Sequence, residues 1–132
     1  MAHLDQIAKW NPQLNAIVTL TADKALLRAK QLDNGEFAGP LHGLPVVHKD
    51  LFDTAGIRTT YGSKLYEHHI PKQDCLMVER MESAGAICLG KSNTPEFGAG
   101  SQTEVPEQLA KRMRRIVQRK LQLADEVLIA KF

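Results

Sequence analysis

Gly39–Ser63, GPLHGLPVVHKDLFDTAGIRTTYGS, decides how the rest of this chain is read. Leu44-Pro45-Val46-Val47 is a short apolar run bounded by Gly39-Pro40 and Gly43 on one side and by Asp50, Asp53 and Gly56 on the other. Such punctuation predicts a short buried strand entered through a turn. Lys49 falls where that strand stops. An amine at the mouth of an apolar strand loses part of its water, which disfavours the ammonium and makes a neutral general base available. Ser-Lys pairs use that chemistry to activate a hydroxyl. The plain alternative is a lysine that snorkels out of a strand end beside Asp50.

The regions around this stretch alternate in character. Leu4–Trp10 has apolar residues at helical spacing and is expected to stop at Asn11-Pro12, because proline pushes its predecessor out of the helical region. Ala16–Leu20 is an apolar, β-branched run that reads as a strand. From Ala22 to Leu32, the spacing of Ala25, Leu26, Ala29 and Leu32 gives one apolar helix face, with Thr21 as N-cap and Asn34-Gly35 as the stop. Further on, Arg58–Tyr61 is β-prone, Asp74 is placed to cap a helix over Cys75–Ala84, and Ala86–Leu89 reads as a second buried strand. Helix, turn and apolar strand in that order form half of a β-α-β unit and favour a parallel or mixed sheet.

The order GPLHGLPVVHKD, AGIRTTYGS, ERMESAGAICLGKSNTPEF resembles the N-terminal part of the amidase signature family, from about Leu4 to Thr103. The resemblance implies an α/β architecture built on one large mixed sheet, distinct from the classical α/β-hydrolase fold. It also implies cleavage or transfer of amide nitrogen by a Ser-Ser-Lys triad in which Lys49 aligns with the catalytic lysine. The family's bridging and nucleophilic serines lie further on, the nucleophile in a Gly-Ser-rich segment that this sequence lacks. Ser63, Ser83, Ser92 and Ser101 each stand in a different setting. By this reading the chain encodes the base alone and is inactive by itself, as a truncation, frameshift or fusion product would be, and a small amide is its substrate only if the rest of the domain is supplied. A fraction of such a domain leaves strands without neighbours and apolar faces uncovered.

Two segments are therefore expected: an amidase-like part at 1–103 and a basic helix at 104–132. The first carries ten Lys or Arg against eleven Asp or Glu, and the second seven against four, so the basic excess lies in the tail. There Leu109, Met113, Val117, Leu121, Ala124 and Leu128 follow one helix face, while Lys111, Arg112, Arg114, Arg115, Arg119 and Lys120 crowd its middle. A phosphate-binding arm, an anionic membrane-surface helix and a docking or self-associating helix share this pattern. The tail has no aromatic residue before Phe132 and so no base-stacking platform, which favours docking or self-association over nucleic acid. That gives the competing functional class, a non-catalytic interaction module.

Other motifs are weaker. Gly85–Ser92 satisfies the Walker A pattern by letter, yet Ala86–Leu89 should be strand where a phosphate loop must expose backbone N–H groups. His3, His42, His48, His68 and His69 lack zinc-motif spacing, so no metal or other cofactor is expected. Asn93 is read as capping a short turn and Phe97 as core, although the family uses this segment to frame its active site. Cys75 and Cys88 form no Cys-x-x-Cys motif, and no secretory leader or membrane span is legible, so a soluble, cytoplasmic protein with reduced thiols is expected.

Overall fold

A computed structural model describes residues 1–35 and 37–100; the expected basic helix at 104–132 lies outside the described residues. The chain begins with α1 (Ala2–Leu14), β1 (Ile17–Leu20) and α2 (Ala22–Asp33), followed by β2 (Pro45–Lys49), α3 (Leu76–Ser83) and β3 (Ile87–Ser92). Single turns of 3-10 helix occur at Lys64–Tyr66 and Glu96–Gly98. The strands form one mixed sheet in the order β1-β3-β2, with β1 antiparallel and β2 parallel to β3. The expected β-α-β unit is therefore present: β2, the long connection carrying α3, and β3. No helix among the described residues is long and apolar enough to cross a membrane.

The core forms where the stripe on α2 meets the central strand. Ala25 and Leu32 of α2 pack with Ile87 and Leu89 of β3, and Leu4, Ile7, Ala29 and Ala38 close around them. Removing such side chains from water is the main favourable term available to a sheet this small. β2 is less covered than expected: Val47 is 40% exposed and Leu44, just before the strand, 50%, because β2 has a strand neighbour on one side only among the described residues.

Three local expectations are corrected. α1 runs through Pro12 to Leu14 and ends at Asn15 in the left-handed region, whose N–H donates to the Asn11 carbonyl. The Asn11 side chain grips the start of β1, accepting from Ile17 N at 2.8 Å and donating to Ile17 O at 2.9 Å, so the helix end and strand start are fixed together. Asp74 does not cap α3: its Oδ1 accepts from Ala55 N at 2.6 Å, and Cys75 is the N-cap residue without a side-chain bond. Arg58–Tyr61 is not a strand, since Tyr61 has a φ of 54° that no strand accommodates.

Candidate active site

Lys49 ends β2, where the sequence placed it, and is paired in register with Ser92 of β3. Its amine is not stripped of water, and that expectation is corrected: Lys49 is exposed while His48 and Asp50 are 2% and 1% exposed. Side chains alternate along a strand, so the neighbours that turn inward force Lys49 outward.

The two aspartates that follow Lys49 tie down the next turn. Asp50 N donates to Ser92 O at 3.0 Å, which continues the β2–β3 ladder by one residue. Asp50 Oδ2 accepts from Thr60 N at 3.1 Å and Thr60 Oγ1 at 2.5 Å, while its buried Oδ1 has no hydrogen-bond partner among the described residues. Tyr61 donates its hydroxyl to Asp53 Oδ1. Burial, and then the Asp53 carboxylate, push the Tyr61 phenol up to about 12.

Consecutive left-handed residues, Tyr61 and Gly62, make this turn tight. A Cβ on Gly62 would lie 2.8 Å from Thr94 O, so only glycine lets the turn rest on the chain after β3. Across that contact Phe97 N donates to Tyr61 O at 2.7 Å and Ser63 Oγ to Glu96 Oε1 at 2.6 Å. Tyr61 stacks on His69, and Tyr66 meets both Tyr61 and Phe97 edge to face, at 5.0 and 6.0 Å between centroids. Phe97, expected in the core, is 54% exposed with a left-handed φ of 49°. The Asn93 carboxamide does organise its own turn, accepting from Thr94 N at 2.8 Å.

Beneath this turn lies a group that the sequence reading missed. Lys91 is fully buried, and its Nζ donates to Phe52 O, to Thr54 Oγ1 at 2.9 Å and to Thr59 Oγ1 at 3.0 Å. The two threonine hydroxyls donate onward to Phe52 O and Ile57 O, each at 3.1 Å, so they are free to accept from the amine. Burial lowers the Lys91 pKa, opposed by the Asp50 carboxylate. Burial first and then the Lys91 charge also lower the pKa of His48.

A β-bulge puts Lys91 there. Val46 pairs with Cys88 and His48 with Lys91, so three steps along β3 match two along β2. The extra residue turns Lys91 toward the 52–59 loop instead of leaving it on the face of Leu89. Gly90 sits in the bulge with a φ of 145°, and a Cβ there would run into the Thr19 carbonyl of β1. The Gly-Lys-Ser letters that imitate a phosphate loop thus belong to a bulged central strand. A glycine followed by lysine at the end of an apolar run was the available signal.

The described residues bring together one outward amine, Lys49, and a rigid turn braced by Asp50, Asp53 and Glu96. Ser63 is buried and engaged with Glu96, Ser83 ends α3, and Ser92 lies opposite Lys49 on the neighbouring strand. Ser101 lies outside the described residues.

A family model described as Amidase matches residues 1–108. The chain is 43% identical over 107 residues to a glutamyl-tRNA(Gln) amidotransferase subunit from Thermosynechococcus vestitus, and that match covers 78% of this chain and 22% of the relative. The corresponding protein of Pseudomonas fluorescens is 46% identical over 105 residues, covering 76% and 22%. Among solved structures, the native peptide amidase from Stenotrophomonas maltophilia superposes with a TM-score of 0.64 at 35% identity, over 73% of this chain and 21% of that one. A 6-aminohexanoate cyclic dimer hydrolase does so with a TM-score of 0.69 at 30% identity, over 78% and 21%. The chain therefore spans about a fifth of the length of the relatives it matches. With a family model matching residues 1–108 and superposition on solved amidases, the chain belongs to the amidase family.

Proposed function

We propose that this chain supplies the base of an amide C–N hydrolase or amide-nitrogen transferase, and that Lys49 is that base. The observation that carries the reading is the placement of Lys49: an outward amine at the end of a parallel strand, next to a turn fixed by two carboxylates. The matched segment makes up about a fifth of its relatives, and in this proposal the remainder of such a protein lies against β2 and brings hydroxyls to the amine. Lys49 would then take a proton through a bridging serine while a second serine attacks the amide carbonyl. The amine leaves with a proton, and water or another acceptor releases the acyl group from the serine. Both serines come from outside residues 1–103 in this proposal, so the 132 residues alone turn over no amide.

The test is a segment exchange. Residues 1–103 replace the matching segment of the Pseudomonas fluorescens amidotransferase, and hydrolysis of a small primary amide is measured with and without Lys49→Ala. Turnover that disappears with the substitution supports the reading. An inactive hybrid, or one indifferent to Lys49→Ala, sinks it.

A second reading, an interaction module, is favoured by the exposed Leu44, Leu65 and Ile70 and by the single-sided pairing of β2 among the described residues. In it residues 104–132 dock a protein partner or a second copy. Light scattering before and after deletion of 104–132 decides it, and an unchanged monomer removes it.

A further inference from the structure

Two lysines, the last residue of β2 and the last but one of the parallel strand β3, lie side by side, and only the first faces outward. The other, Lys91, spends all three ammonium hydrogens on three acceptors that belong to one loop, residues 52–59. That loop leaves β2 directly after Lys49. Phe52 N donates to Lys49 O at 3.0 Å, and Phe52 O is one of the three acceptors of Lys91. Phe52 is therefore held at both ends, by the backbone of one lysine and the side chain of the other. An ammonium whose donors are all matched cannot serve as a proton acceptor without breaking a bond to the loop.

We infer that Lys91 is a positioning residue for Lys49: from inside the protein it clamps the Lys49–Phe52 turn, so that the outward amine projects from one fixed backbone. This deepens the reading of Lys49 as the base and rests on it for its chemical consequence, though the clamp itself is independent of any reaction. Lys91 thus works as a cation that orients, while Lys49 on the neighbouring strand faces outward. The threonines at 54 and 59 belong to the same device, because each presents an oxygen inward while donating its hydrogen to a backbone carbonyl. Gly90 belongs to it as well, since the bulge is what aims Lys91 at the loop.

The clamp is read by nuclear magnetic resonance on the 15N-labelled 132-residue chain. Buried and triply bonded, the Lys91 ammonium should give a slowly exchanging side-chain signal at neutral pH, which Lys91→Met removes. Methionine fills similar space without donors, so a lysine that merely packs would leave the loop unchanged. The expected result is amide exchange at Phe52 accelerated about tenfold in Lys91→Met, with the amides of Ala25–Leu32 within about twofold of the parent. Thr59→Val, which removes one acceptor and keeps the shape, should accelerate Phe52 about threefold, and it carries the test if Lys91→Met does not fold. Unchanged Phe52 exchange in the folded variants, or no slow ammonium signal in the parent chain, overturns the clamp. In the active hybrid, Lys91→Met should lower kcat and leave KM in place. A hybrid indifferent to Lys49→Ala but with Phe52 loosened by Lys91→Met would sink the base and keep the clamp.

Discussion

Lys49, the last residue of β2, pairs with Ser92, and Lys91, the last residue but one of the parallel strand β3, pairs with His48, yet the first is exposed and the second is wholly buried. The difference comes from the bulge in β3, which sends Lys91 under the loop that follows Lys49. One residue type at one end of one sheet is thereby placed in two settings, an internal cation with every donor matched and an exposed lysine at the surface.

Gly90 should be the least replaceable residue of β3. Alanine there combines an unfavourable φ of 145° with a Cβ driven into the Thr19 carbonyl, so β1 must separate from β3 to admit it. Gly43 is the control: its φ is 76°, but nothing lies within 4 Å of an added Cβ. Gly90→Ala should cost at least ~3 kcal/mol and Gly43→Ala ~1 kcal/mol. Urea midpoints followed by far-UV circular dichroism measure both, and equal costs would show that the bulge is not needed.

Acid should loosen the fold through His48. Its folded pKa lies below the ordinary value of 6.5, first because it is buried and then because Lys91⁺ is near. As pH falls below 6.5 the unfolded chain binds a proton that folded His48 resists. The stability associated with His48 is thus present above 6.5 and is lost as pH falls through the lower folded value. Urea midpoints at pH 7.5 and 5.0 should differ less in His48→Gln than in the parent chain. An identical pH slope in the two would remove His48 as a cause.

Tyr61 acts at the opposite end of the scale. Its phenol is raised from 10 to about 12, so the folded chain keeps a proton that the unfolded chain releases between those values. This contribution is whole below pH 10 and vanishes as pH climbs through about 12. Lys91, with its lowered pKa, works the other way until 10.5, so the comparison belongs above that pH. Tyr61→Phe should lose ~1.5 kcal/mol at neutral pH with the bond to Asp53, and should then show a shallower alkaline decline than the parent between pH 10.5 and 11.5.

Much of this fold was legible because its periodicities are simple. The stripe Ala25, Leu26, Ala29, Leu32 gave α2, and the apolar runs before Lys49 and Gly90 gave β2 and β3 with the β-α-β order between them. Lys49 at the strand end was found from punctuation and family likeness together. What escaped notice depended on contacts distant in sequence. Nothing local says that Asp74 serves Ala55 in place of its own helix, or that Asp50 and Asp53 hold Thr60 and Tyr61 out of a strand. Lys91 was hidden by two rules that are usually sound: lysine is rarely buried, and strand alternation continues unbroken. A bulge breaks the second and three loop acceptors suspend the first. The expected loss of water around Lys49 failed because its two inward neighbours fix the alternation.

Lys49 itself should matter to chemistry and not to folding. Its side chain is exposed, so Lys49→Ala should change stability by no more than ~0.5 kcal/mol in urea. Removal of a general base typically costs a factor of about 10²–10⁴, and the hybrid enzyme should lose turnover on that scale with its fold intact. The combination separates two kinds of lysine within one sheet: substituting Lys91 should weaken both structure and turnover, and substituting Lys49 turnover alone. A Lys49→Ala variant that unfolds would make Lys49 a structural residue. One that folds and turns over amide at the parent rate would move the base elsewhere, and the outward position of Lys49 would then be ordinary strand alternation.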